Sequence, residues 1–228
     1  LAMANADAGV KFFTDGVSEF KKVPPKARSL VFQICTRQLI LSSSIALETF
    51  ESIPNLAKEV NDDELFTEIL TVANDVANRS AKHSADFLNA TPKVADVIKR
   101  DKKIQKSALE LASNFATRTG GMTADLWTIL PDALKDLTAP QSVSLTKKAS
   151  EFLEFGGSVT LHFVSSGGEV LRRVDTVFAD WCEVLLKIAK HGNAVLVSFL
   201  RSSPAFFNQI VSLKKDDEII RLSRRVLQ

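Results

Sequence analysis

The 228-residue chain has no tyrosine, two cysteines, three histidines and two methionines. It also lacks any apolar run of the roughly eighteen or more uncharged residues that a conventional membrane span requires. Each shortage excludes something. Tyrosine is the aromatic with a polar handle, so the ring area carried by fifteen Phe and two Trp is almost wholly without hydroxyls. Such rings suit a Phe-packed core, and the alternative is that some of them, Phe12, Phe13, Phe206 and Phe207 among them, face a partner, an apolar ligand or a membrane. Cys35 and Cys182 both fall within apolar helical patterns and read as buried free thiols behaving as small hydrophobes. A single disulfide between them is the alternative, and it would imply an oxidising compartment.

Catalytic constellations are missing as well. His83, His162 and His191 stand in neither Glu-x-x-His nor His-Glu-x-x-His spacing, so neither a di-iron bundle nor a zincin helix has local support. Two distant cysteines make no Cys-x-x-Cys zinc site. No phosphate-binding Gly-x-x-x-x-Gly-Lys-Ser/Thr loop is present. Glu48 and Glu51, like Glu151 and Glu154, share a helix face at i,i+3 spacing and read as solvated carboxylates rather than an acid–base pair. The sequence therefore predicts no catalytic, cofactor or metal site and a protein that is not an enzyme. Lys and Arg total 29 against 27 Asp and Glu, which leaves no basic excess for gripping nucleic acid. The one basic run, with Lys99, Lys102, Lys103 and Lys106 on one side of a helix, reads as a solvated face, with contact to an anionic surface as its functional alternative.

What the chain does have is helical periodicity. From Glu169 to Lys190 the residues Leu171, Val174, Phe178, Trp181, Leu185 and Ile188 recur at steps of three and four, which predicts one amphipathic helix with an apolar stripe. Upstream, Pro25 opens a helix running to about Ile53, whose apolar residues cover more than half the circumference and predict a central helix contacted on several sides. Pro54 and the cluster Asn61-Asp62-Asp63-Glu64 mark the next boundary, with Asn61 or Asp62 as a cap. A third helix is predicted over 63–89, ended by Thr91-Pro92. A fourth spans about 92–117, interrupted at Asp101 and stopped by Gly120-Gly121. Pro131 is expected to kink or split the segment 122–137, and Thr138 to Gln141 reads as a linker before a helix over 143–155.

The segment 155–168 is poor in charge and ambiguous between strand and helix; helix is the reading here, with the diglycines permitting close packing. His191-Gly192 closes the heptad helix. Segment 193–213 carries only Arg201, with Pro204 in its middle, and a last amphipathic piece runs over 216–227. The fold predicted is all-α, a multi-helix bundle of about seven or eight mostly long antiparallel amphipathic helices in one domain over 1–228, with 138–141 as its point of subdivision.

The function expected is a non-enzymatic helical-bundle binding or scaffold protein that presents a helix face or groove to a protein partner. The alternative is a lipid- or membrane-interacting helical protein, a pore-former or an apolar-ligand carrier, using segments 155–168 and 193–213. Phe12, Phe13, Phe163, Phe206 and Phe207 are the candidate contacts to such a partner or lipid.

Overall fold

A computed structural model describes residues 17–212, and it is all-α. A helical turn at Val17–Phe20 and a short 3-10 turn at Pro25–Ala27 lead into α1 (Arg28–Leu41), α2 (Ser43–Val60), α3 (Asp63–Arg79), α4 (Ala81–Ile98), α5 (Lys102–Thr119) and α6 (Met122–Leu134). There follow α7 (Ala139–Phe152), α8 (Gly157–Val174), α9 (Phe178–Ala189) and α10 (Asn193–Ser212). No strand occurs among the described residues, so 157–168 is helix, as expected, with Gly156 just outside it. The amphipathic pieces 10–16 and 216–227 lie outside the described residues. The chain divides into two compact units at Thr128/Ile129.

The helix corners fall where small polar residues stand, not at the prolines. Ser42, Ser80 and Asp101 are each extended (φ −158°, −155° and −153°) and each turns the chain from one helix into the next. The predicted helix from Pro25 to Ile53 is thus two helices broken at Ser42, whose Oγ accepts from the Ile45 N–H at 3.4 Å. The predicted helix over 63–89 ends at Arg79. The side-chain oxygens of Ser42 and Asp101 satisfy a helix start, so a single such residue suffices as a corner, whereas Ser80 makes no such bond and places its hydroxyl on His83. Asp62 caps α3 by accepting from the Leu65 N–H at 2.9 Å, after the left-handed Asn61. Asp101 does the same for α5, and Gly120 (φ 59°) closes it, both as expected. Thr138 to Gln141 is no linker but a capping box that starts α7.

Pro54, Pro92, Pro131 and Pro204 all lie inside helices. An internal proline costs about 3 kcal/mol, so something must hold these helices continuous. At Pro92 the buried residues Phe87, Leu88, Thr91, Val94, Ala95 and Ile98 form one apolar face on both sides of the proline. The Thr91 hydroxyl donates to the Phe87 carbonyl at 3.0 Å and accepts from Trp127 Nε1 at 3.1 Å. The indole also stacks on Phe87 at 4.8 Å between centroids. The second unit repeats this around Pro204, where Ser203 Oγ donates to the Phe199 carbonyl at 2.8 Å and accepts from Trp181 Nε1 at 3.1 Å. Each tryptophan of the chain therefore braces the hydroxyl that precedes an intrahelical proline.

The heptad stretch is also divided. Val174 (φ −144°) ends α8, a 3-10 turn covers Asp175–Val177, and α9 begins at Phe178. The β-branched run Val174, Thr176, Val177 is poor in helix propensity and supplies the weak point. Its stripe still does what the spacing implied, because Leu171, Val174, Phe178, Trp181 and Leu185 are all buried, now on two helices.

Within the first unit α1 packs on α2, α3 and α4, α2 on α3 and α4, α3 on α4 and α5, and α4 on α5. Polar rungs join like ends of alternate helices, Arg37 Nη1 to Asn74 Oδ1 (2.7 Å) between α1 and α3, and Gln105 Nε2 to Glu68 Oε2 (2.9 Å) between α3 and α5. That is the arrangement of stacked helical hairpins. The second unit shows the same next-but-one packing of α8 on α10, beside α7 on α8 and α9 on α10. At its centre Phe163 stacks on Phe152 (4.2 Å) and Trp181 (5.6 Å).

One surface arginine closes a helix end in that unit. Arg172 Nη1 donates to the carbonyls of Asp132 (3.1 Å), Ala133 (3.3 Å) and Lys135 (3.0 Å), groups at the end of α6 that have no intrahelical donor. Arg172→Met keeps the stem and removes these bonds. It is expected to lower stability by about 1 kcal/mol, read as a fall in the urea midpoint, with Arg172→Lys recovering part of the loss.

Candidate functional site

The first unit carries two surface clefts at the entry to α1. One, of about 630 Å³, is lined by Pro24, Pro25, Lys26, Glu64 and Glu68 among others; the second, of about 680 Å³, by Lys22, Pro54, Lys58 and Asn61. Pro24 and Asp63 belong to both and form the ridge between them. Pro24 is fixed by its neighbours: Val23 is buried, and Arg28 reaches back to donate to the carbonyls of Val23 (3.0 Å) and Lys21 (2.9 Å). The acidic rim is already engaged. Glu68 accepts from Gln105, and Lys102 lies 3.6 Å from Asp62 and 3.7 Å from Glu64. The Leu65 N–H, opposed by partial burial and helped by Lys102, holds the Asp62 carboxyl below the usual range. These clefts offer mixed charge and modest depth.

The predicted site residues are placed as follows. Phe163 lies fully buried in the aromatic stack and Phe207 is buried too, with Phe206 half-buried against it at 5.3 Å, edge-on. Phe12 and Phe13 lie outside the described residues. Lys99, Lys102, Lys103 and Lys106 do not share one helix, because Asp101 separates the first from the other three. Lys99 pairs with Asp96 at 2.5 Å, Lys102 with Asp62 and Glu64, and Lys106 with Glu110 at 4.0 Å. The run is thus largely neutralised by its own neighbours, and such exposed pairs add little stability.

Cys35 and Cys182 are buried free thiols, and burial pushes both up to about 12, which removes thiolate chemistry from either at neutral pH. The Ser80 hydroxyl lies 2.5 Å from His83 Nδ1 at the start of α4, an exposed pair one helical turn apart. Its imidazole packs against Gly121, where a Cβ would come within 2.6 Å of Nδ1. That contact fits a structural role, with the glycine making room for the ring. No cluster of three or more metal-ligating side chains occurs among the described residues, and no described helix is long and apolar enough to cross a membrane.

The surface feature that the sequence did not reveal is at the end of α1. Ile40 is 82% exposed and Leu41 63% exposed, beside the corner at Ser42. The apolar pattern over more than half the circumference implied a helix contacted on several sides; in the structure Val31, Ile34, Cys35 and Gln38 are buried, while Ile40 and Leu41 project outward. The triplet Ser42-Ser43-Ser44 was the available signal, since a helix ending there leaves its last turn uncovered.

No family model matches this sequence, and no curated protein or solved structure shows significant similarity to it. What the fold defines is a class: an all-α protein built of successively stacked helices.

Proposed function

We propose that this protein is a non-enzymatic binding or scaffold protein that offers the apolar end of α1 to a helix of a protein partner. The observation that carries the reading is the exposure of Ile40 and Leu41, adjacent large apolar side chains on the helix that also exposes Phe32. The kind of partner follows from how the unit is built. Alternate helices α1, α3 and α5 lie side by side, each packed on the next, and α1 is the first of that row among the described residues. A further amphipathic helix can be added to the row by the packing that already joins α1 to α3, with apolar anchors meeting Ile40 and Leu41.

Ile40→Asp/Leu41→Asp is expected to weaken such a complex at least 10-fold, about 1.4 kcal/mol, with the helical circular dichroism of the parent retained. A photo-crosslinking amino acid at position 40 in the full chain identifies the partner segment. A crosslink to a helical apolar segment, lost on competition with unlabelled parent but not with the double variant, supports the reading. Equal competition by the double variant rejects it.

A membrane-acting protein is the second reading, favoured by the pairing of the two weakly charged helices α8 and α10. Because Phe163 and Phe207 are buried between helices, that reading needs α8 or α10 to leave the unit. Flotation of the parent with anionic vesicles, abolished in Phe207→Asp, would favour it; absence of flotation by the parent rejects it.

A further inference from the structure

We propose that the His162–Arg201 contact is an acid-sensitive latch holding α10 against α8. These helices lie side by side in the same direction, as three polar rungs along them show. Asn193 Nδ2 of α10 donates to the Phe155 carbonyl just before α8 (2.7 Å), Arg201 donates to His162 Nε2 (3.0 Å), and Arg173 Nε donates to Asn208 Oδ1. Only the middle rung contains a group that changes charge between pH 5 and 8. Arg201 has no acceptor role and does not deprotonate, so the bond requires His162 neutral with Nε2 unprotonated. A proton on His162 removes the acceptor and sets an imidazolium beside a guanidinium, replacing attraction by repulsion.

The setting leaves that proton uncompensated. The elements packed against α8 are α6, which carries Asp132 and meets α8 at Gly168 and Arg172, α7, the 153–155 turn, α9, the 175–177 turn and α10. On α10, Arg201 is the one charged residue, and its charge bears on His162. On α7, Lys148 and Glu151 pair with each other at 2.8 Å, and their influence falls on Cys182. None of Glu154, Asp175, Glu183 and Lys187 is placed as a partner of His162, and α8's own Glu169 pairs with Arg173 (3.6 Å) while Arg172 reaches the end of α6. Partial burial first, and Arg201 second, hold the imidazole below its ordinary range. The folded form therefore binds the proton less readily than the released form. The docking of α10 is complete above about pH 6.5, the ordinary histidine value, and weakens as pH falls through it and below.

Hydrogen exchange of the full chain at pH 7.5 and 5.0, corrected for intrinsic rates, tests this, with the α1 and α5 peptides as internal references. Exchange over 193–212 is expected to rise about fivefold relative to those references on acidification. His162→Gln keeps a neutral acceptor and Arg201→Gln removes the second cation, and each is expected to abolish the rise. A uniform change in all segments, or an acid response over 193–212 that survives in both variants, overturns the proposal. The outcome is independent of the partner helix at Ile40, which lies in the other unit.

Discussion

Replacing Gly168 by alanine is expected to destabilise the second unit by about 3 kcal/mol. In an ordinary helix interior, glycine to alanine is stabilising by about 0.5–1 kcal/mol. Here the new Cβ would stand 2.3 Å from the Ala133 carbonyl oxygen and 2.9 Å from its Cα. The obstacle is backbone, in the last turn of α6, so relief requires moving one helix away from the other. Gly167 supplies the control next door. Its Cβ would meet Leu145 Cδ1 at 2.7 Å, the far end of a flexible side chain that can turn aside. Gly167→Ala is therefore expected to cost about 1 kcal/mol or less. Urea unfolding of both variants reads the contrast. If Gly168→Ala were as stable as Gly167→Ala, the close approach of α8 to α6 would be wrong.

Trp181→Ala is expected to cost about 3–5 kcal/mol, because it removes two separate supports. The indole packs among Phe163 and Phe178 (5.6 and 5.7 Å) and donates to Ser203 beside Pro204. Trp181→Phe separates them, keeping ring packing while losing the donor, and is expected to cost about 1 kcal/mol. The local readout is sharper than the global one: exchange around residues 199–204 should rise in Trp181→Phe while exchange near Phe152 stays low. Faster exchange spread evenly over the unit would show that the indole acts by volume alone. Trp127→Phe is expected to behave in the same way around Pro92, through Thr91 and Phe87.

These braces explain where reading the sequence succeeded and where it failed. The all-α class was legible because apolar stripes need only local spacing, and residues such as Leu65, Ile69, Val72 and Val76 are buried as their period requires. The corners were legible only in part: Asn61-Asp62, Asp101 and Gly120 fall where expected. Proline was also expected to end helices, yet tertiary anchors at Trp127 and Trp181 carry helices through Pro92 and Pro204, while Ser42 and Ser80 end helices with a single extended residue. Burial energy overrode a local preference at the prolines. At Ser42 a capping oxygen starts the next helix, whereas Ser80 turns the chain with its hydroxyl on His83 and no side-chain cap. The exposed pair Ile40 and Leu41 was hidden for the same reason, because exposure follows from where α1 stops. Nothing in the local spacing of His162 pointed to Arg201, and the pairing follows only from α8 and α10 lying side by side.

The single-residue corners have a consequence for what the chain can tolerate. Between Arg28 and Thr119 the helices are joined by Ser42, by Asn61-Asp62, by Ser80 and by the three residues 99–101. One residue added at Ser42 or Ser80 would turn the following helix by about 100° about its own axis, with no loop to absorb the rotation. The apolar face of α2 or α4 would then point partly at water. This half of the molecule thus behaves like a mechanism cut without slack, in which substitutions are absorbed locally but any change of length at a corner is passed on to every helix beyond it.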